Sequence, residues 1–219
     1  MNSRSLTLLL SGALLAFSFA APATAQAPKQ QTQNAPAGQF DEAQRASLEG
    51  VNKFFNSTMI LSGKFHQVGP NGAKTEGQFY LQRPGRMRFQ YDDPSPIELI
   101  ADGSSLAVRD RNLATQDLYP IGQTPLRFLL AERIDLLKDS NVTAVFRDEL
   151  FVTVVINEKS ALAGTHRLML MFGAKDYQLK QWTVTDPQGL DTTVAIYDLN
   201  TKKRPDPSLF VIDYTTYRQ

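Results

Sequence analysis

Few residues of this chain have the type and spacing that catalysis requires. The histidines are His66 and His166, and cysteine is absent. Neither H-E-x-x-H nor G-x-S-x-G occurs, the patterns that pair two zinc ligands or expose a nucleophilic serine. Asp92, Asp93 and Asp110 could supply a carboxylate pair, but adjacent strand residues point to opposite faces, so Asp92 and Asp93 do not converge. We therefore expect no enzyme, no metal and no cofactor.

The stretch 78–94, QFYLQRPGRMRFQYDDP, contains a charged residue, Arg83, whose position is more informative about function. Alternation with a period of two on both sides of Arg83-Pro84-Gly85 predicts two neighbouring strands. Their apolar positions share one face: Phe79, Leu81, Met87, Phe89 and Tyr91. Counting on from Leu81 places Arg83 on that face too, where a guanidinium needs hydrogen-bond acceptors or water. An ion pair with Asp92 or Asp93 is one way to supply them.

The elements that must position these residues follow from the hydrophobic periodicity. Residues 41–55 have helical spacing, with Asp41 and Gln44 as a capping box. The apolar stripe of this helix is Leu48, Val51 and Phe55. From Ile60 onward, alternation predicts eleven or twelve short strands, the first at Ile60–Val68 and the last at Leu209–Tyr214. The sequence thus predicts one antiparallel sheet, closed or half-closed.

A second, short helix is predicted before the strand Val142–Arg147. Thr124 is the expected N-cap and Pro125 the first helical residue, and residues 134–138 could extend the helix. Its apolar face is Leu126, Leu129 and Leu130. A barrel of about eight strands is filled by its own side chains, whereas a wider sheet leaves room inside. We therefore expect an apolar cavity that the two helices can cover.

The N-terminal region has the features of a secretory signal. Arg4 precedes a short apolar run, and Ala23-Thr24-Ala25 resembles a signal-peptidase site. We expect residues 1–25 to be a cleaved signal peptide. Residues 26–39, rich in Gln, Ala and Pro, are expected to be a disordered lead-in, and residues 40–219 a single domain.

Charge and cysteine content limit the expected partners. The net charge is +1, and Arg4 of the leader accounts for it. Nucleic acids and anionic membrane surfaces attract chains with an excess of Lys and Arg, so neither is an expected standing partner. The absence of cysteine excludes disulfides, and it also excludes a lipid anchor on an N-terminal cysteine.

Several segments together resemble the LolA family, the periplasmic carriers of outer-membrane lipoproteins. The most specific is 77–91, GQFYLQRPGRMRFQY, which contains R-P-G-x-x-R-F-x-Y. Four others occur in the family's order: GKFHQ at 63–67, Ile100-Ala101-Asp102-Gly103 before Leu106, Thr124-Pro125-Leu126, and Leu209-Phe210. The resemblance spans roughly residues 40–212.

This resemblance implies a mainly β fold: a half-open antiparallel β-barrel of about eleven strands, with the two helices as a lid over an apolar cavity. Family members receive lipoproteins from an ATP-driven complex of the inner membrane, shield their acyl chains across the periplasm, and deliver them to an outer-membrane receptor. In the family, the arginine of the R-P pair hydrogen-bonds the lid, so Arg83 is expected to be a latch. A monomer is expected.

The sequence departs from the family in two places. Phe89 stands where many relatives have tryptophan, a change within aromatic chemistry. The sequence given also ends soon after Ile212-Asp213-Tyr214, without the additional C-terminal segment of some relatives. Direct delivery to the outer membrane therefore stands beside delivery through a receptor.

Seven residues are the candidate contacts for acyl chains: Phe79, Leu81, Met87, Phe89, Tyr91, Leu99 and Val108. Alternation alone explains most of them equally well as core residues beneath a sheet. Another lipid- or glycolipid-binding module, or a sensor of envelope stress, would need the same cavity and lid. Either is the alternative function.

Overall fold

The computed structural model describes residues 40–139, 141–160 and 164–215. The expected signal peptide and lead-in therefore lie outside the described residues. Within the part of the chain that is described, no helix combines the length and apolar character needed to cross a membrane.

Helix α1, Glu42–Ser57, begins with the capping box that the sequence predicts. The Gln44 amide donates to Asp41 Oδ1 at 2.8 Å, and the Asp41 amide donates to Gln44 Oε1 at 3.0 Å. Two amides that the helix cannot pair internally are thereby satisfied. One face of α1 buries Leu48, Val51 and Phe55 in the main core, where the Phe55 ring lies 5.8 Å from that of Phe172.

Eleven strands form one sheet in which every neighbouring pair is antiparallel. The strands are β1 (Ile60–Val68), β2 (Lys74–Gln82), β3 (Arg86–Tyr91), β4 (Ile97–Asp102), β5 (Ser105–Asp110), β6 (Thr115–Pro120), β7 (Val142–Arg147), β8 (Phe151–Ser160), β9 (Gly164–Gly173), β10 (Leu179–Thr185) and β11 (Asp191–Asn200). Their order is β6-β5-β4-β3-β2-β1-β11-β10-β9-β8-β7, so β1 and β11 join the two halves. The edge strands β6 and β7 are not paired with each other in this sheet. The predicted fold class, an unclosed antiparallel barrel, is confirmed.

The chain between the two edge strands runs through residues 121–141. It contains a 3₁₀ helix, Ile121–Gln123, and the four-residue helix α2, Arg127–Leu130. Thr124 is not the N-cap and Pro125 is not the first helical residue, because α2 begins at Arg127 with Leu126 as its N-cap. The Thr124 Oγ1 instead donates to the Ile121 carbonyl at 2.9 Å. The predicted extension over 134–138 is also wrong, because side chains of α1 bind the backbone amides of this segment.

The predicted strand Leu209–Tyr214 is wrong as well. Pro207–Phe210 form a 3₁₀ helix that Asp206 caps, with its side chain accepting from the Ser208 amide. The alternation in this segment serves packing and not pairing: Phe210 and Ile212 are buried. Ile212 packs on the outer face of the sheet in a small cluster with Ile100 and Ala107.

Candidate functional site

The turn between β2 and β3 places Arg83 on the inner face of the sheet. Arg83 is only 7% exposed, and its Nη2 donates to the carbonyls of Phe55 and Thr58. Its guanidinium carbon also lies 4.8 Å from the centre of the Phe55 ring. The Arg83 side chain thus joins the sheet to the C-terminal end of α1.

The charge of Arg83 suits this position. Burial lowers the pKa of Arg83 to about 10, so the guanidinium stays protonated at neutral pH. Carbonyls at a helix C-terminus carry partial negative charge and favour a cation. Among the described residues, no ion pair joins Arg83 to Asp92 or Asp93. The acceptors of Arg83 are therefore backbone groups of α1.

The same turn is attached to both helices. The Arg83 amide donates to the Met59 carbonyl just after α1, and the Gly85 amide donates to the Leu130 carbonyl of α2, each at 2.9 Å. Gly85 has a φ of +75°, and a Cβ there would lie 2.7 Å from the Cα of Gly103. Glycine is therefore the residue this backbone requires, which accounts for the glycine of R-P-G.

Helix α1 is also bound to the segment that follows α2. Asn56 exchanges two hydrogen bonds with the backbone of Ile134, both 2.9 Å long. Asn52 Oδ1 accepts from the Leu136 amide at 3.0 Å. The two helices and this segment form one lid, residues 42–57 and 121–139, in which hydrogen bonds of Asn52 and Asn56 join α1 to the segment.

Little free space remains beside Arg83. A void of about 20 Å³ lies there, and its lining includes Phe55, Leu81 and Leu129. At this end of the molecule, lid side chains occupy the interior of the sheet.

A larger apolar cavity of about 470 Å³ lies farther along the sheet. Both halves of the sheet line it, so the sheet must curve around it. From the first half come Gln67, Met87, Phe89, Leu99, Leu106, Val108 and Tyr119, from the lid Gln123, Thr124, Pro125 and Leu126, and from the second half His166, Trp182, Val184, Thr192 and Val194. Ligand pockets in proteins measure roughly 300–1,000 Å³, so this cavity is large enough for an apolar ligand.

The candidate contacts divide between this cavity and the core. Met87, Phe89, Leu99, Val108 and the lid residue Leu126 line the cavity. Phe79 is fully buried and stacks on Phe89 with 5.6 Å between ring centres, and Tyr91 packs on Phe65 and donates to Gln67 Oε1 at 2.8 Å. The remaining lid candidates Leu48, Val51 and Leu130 are core residues in this structure.

The second half of the sheet contributes cavity residues that the sequence reasoning missed. Trp182 and Val184 alternate along β10, and His166 occupies the row of β9 that also carries Leu168 and Leu170. The same period-2 count that identified Met87 and Phe89 would have found them.

The fold and cavity define a class of protein: an unclosed antiparallel β-barrel in which a helical lid covers an apolar interior. The family model described as "Outer membrane lipoprotein carrier protein LolA" matches residues 56–213. The chain belongs to the LolA family.

The chain is similar to several named proteins. The chain is 27% identical over 161 residues to an outer-membrane lipoprotein carrier protein of Methylobacillus flagellatus, covering 69% of this chain and 77% of that protein. It is 25% identical over 182 residues to an outer-membrane lipoprotein carrier protein of Methylococcus capsulatus, covering 79% of this chain and 86% of that protein. A solved LolA superfamily protein from Nitrosomonas europaea matches with a TM-score of 0.42 and 10% identity, covering 78% of this chain and 98% of that one.

Proposed function

We propose that this protein is a periplasmic carrier that binds the acyl chains of lipoproteins released from the inner membrane and delivers them to the outer membrane. One observation carries the proposal: an apolar cavity of about 470 Å³ lies under a lid that one turn of the sheet holds by hydrogen bonds. Membership of the LolA family supports it. In this role the chain is a non-enzymatic binding protein.

A carrier must also release its ligand, and the lid supplies a means. Burying about 16 methylenes at roughly 0.8 kcal/mol each stabilises one bound acyl chain by about 13 kcal/mol. Several chains would exceed the limit of non-covalent affinity, near 18–21 kcal/mol. The lid competes for the same interior by burying Leu48, Val51 and Phe55, so ligand binding is opposed by closure.

Arg83 is the proposed latch of this closure. Its partners are the Phe55 carbonyl of the lid and the carbonyl of Thr58, the C-cap of α1, and they separate from it when α1 moves. The proposed partners are acylated lipoproteins, an ATP-driven release complex in the inner membrane, and an outer-membrane receptor or that membrane itself. The working unit is proposed to be a monomer.

Inner-membrane vesicles that hold labelled lipoprotein and the ATP-driven release complex provide the test. With the wild-type protein, labelled lipoprotein should enter the soluble fraction on addition of ATP. Val108→Glu puts a charge into the cavity wall and should abolish this transfer. Leu113→Glu, at a position 71% exposed in the β5–β6 turn, is the matched control and should transfer normally.

The outcomes separate the carrier from its alternative. If the wild-type protein extracts no lipoprotein, the carrier proposal is overturned. If it extracts phospholipid or glycolipid in place of lipoprotein, the lipid-binding or envelope-sensing alternative is favoured. Thermal unfolding of both variants shows whether a loss of transfer reflects the cavity or misfolding.

A further inference from the structure

One wall of the apolar cavity carries a histidine with no polar partner among the described residues. His166 lies near the start of β9 in the row that also holds Leu168, Leu170 and Phe172, all buried on the inner face. It lines the cavity together with Val184 and Trp182 of β10. The other histidine, His66, faces outward on β1, beside Glu76.

Both ring nitrogens of His166 are buried, and neither has a hydrogen-bond partner among the described residues. A buried polar atom left unpaired costs free energy, so native structures seldom retain one without a reason. Either neutral tautomer of imidazole has one N–H donor and one acceptor nitrogen. His166 therefore offers an unused donor in the wall of a mainly apolar cavity.

A second polar group lies directly across the strand pair. Glu158 of β8 is the antiparallel partner of His166 and shares its face of the sheet. Glu158 Oε1 accepts from Arg127 Nε of the lid, whereas Glu158 Oε2 is buried without a partner among the described residues. Polar groups are thus concentrated where the lid meets β8 and β9.

We propose that His166 donates a hydrogen bond to an acyl carbonyl oxygen of the bound lipoprotein, and so positions the linkage between acyl chain and protein. This inference rests on the proposed carrier function. An alkyl chain has no hydrogen-bonding group, but the ester or amide that attaches it presents a carbonyl acceptor. From His166 the chain would run past Val184 and Trp182 toward Phe89, whose ring centre lies 6.0 Å from that of Trp182.

The lid controls access to this donor. Thr124, Pro125 and Leu126 line the same cavity as His166, and Arg127 ties that segment to Glu158. The nitrogens of His166 are covered in this closed arrangement. Displacement of the lid segment during loading exposes the donor to the ligand carbonyl.

The test uses the full-length mature protein and two synthetic lipopeptides. One carries a thioether-linked diacylglycerol with ester carbonyls, and the other is its dialkyl ether, which lacks them. The wild-type protein should bind the ester form about five- to tenfold more tightly, the effect of one hydrogen bond. His166→Phe should remove this preference, His166→Gln should retain part of it, and His66→Phe on the outer face should leave it unchanged.

A second pair of lipopeptides carries an added N-palmitoyl amide. If the amide is the carbonyl that His166 binds, His166→Phe weakens both members of this pair equally, which also supports the proposal. Equal binding of ester and ether by wild type, with no effect of His166→Phe on either pair, overturns the inference and leaves the carrier function standing. Failure of the wild-type protein to bind any lipopeptide overturns the proposed function itself, and the inference with it.

Discussion

Two buried arginine sites lie on opposite faces of the same sheet, and they are neutralised differently. On the outer face, the Glu98 carboxylate lies 3.1 Å from Arg88 and 3.4 Å from Arg109, and Arg109 also donates to Gln116 Oε1 at 3.0 Å. On the inner face, Arg83 is bound by backbone carbonyls of α1. At the outer site the arginines are paired with a carboxylate, whereas at the inner site Arg83 is paired with the dipoles of backbone carbonyls.

If the proposed lid opens, this difference separates a permanent site from a releasable one. Glu98, Arg88 and Arg109 all lie on neighbouring strands, so they stay together when the lid moves. Burial lowers the pKa of Arg88, and the nearby Glu98 carboxylate opposes that shift. Arg83 joins a sheet turn to a helix, and water can replace its carbonyl partners once α1 leaves. A buried carboxylate at that place would hold the lid more tightly and hinder loading.

The largest effect is expected on the outer face. Glu98→Ala leaves the buried Arg109 and the mostly buried Arg88 without their carboxylate, and breaking such a pair costs about 3–5 kcal/mol. Urea unfolding should show that the free energy of unfolding falls by this amount. Glu76→Ala, at a side chain 61% exposed, should change the free energy of unfolding by less than about 0.5 kcal/mol. Similar small losses in both variants would mean that Glu98 does not hold the outer site together.

On the inner face, Tyr91 should make the free energy of unfolding depend on alkaline pH. Burial raises the pKa of Tyr91 to about 12, so in the unfolded chain this phenol ionises first, near pH 10. Its contribution to stability is complete below about pH 10 and is lost as the pH rises toward 12, by about 2–3 kcal/mol. Tyr91→Phe should reduce the decline in the free energy of unfolding over that range by this amount. An equal decline in both proteins would contradict the burial of an un-ionised phenol.

Local patterns predicted most of the fold. β1 and β7 have the bounds that alternation indicates, since one buried face imposes a period of two. The segment 209–214 also alternates, but it packs across the outer face and Asp206-Pro207 start a 3₁₀ helix instead. Alternation of apolar and polar residues shows that one side of a segment is buried. It does not distinguish a hydrogen-bonded strand from an irregular segment that packs on the sheet.

The site was predictable only in part. Counting along β2 placed Arg83 on the inner face, but its acceptors belong to Phe55 and Thr58, more than twenty residues earlier in the chain. No local pattern identifies partners at that separation. Alternation also places His166 on the inner face of β9, but it does not reveal that both ring nitrogens lack hydrogen-bond partners among the described residues.

The smallest effect on stability is expected at the latch. Arg83→Leu replaces a buried cation by an apolar side chain in a mainly apolar setting, so the loss should be about 1 kcal/mol. Arg86→Leu is the matched control, because Arg86 follows the same turn but is exposed. Hydrogen exchange of the α1 amides should accelerate in Arg83→Leu alone. Equal exchange in the two variants would show that Arg83 does not hold α1.

Release of labelled lipoprotein from the loaded carrier to outer-membrane vesicles tests the latch most directly. The loss of about 1 kcal/mol expected for the closed state of Arg83→Leu corresponds to a factor of about five, since 1.4 kcal/mol is a factor of about ten. Arg83→Leu should therefore load normally and release about fivefold more slowly, whereas Arg86→Leu should release at the wild-type rate. Release from Arg83→Leu at the wild-type rate would contradict the proposal that this arginine drives closure of the lid.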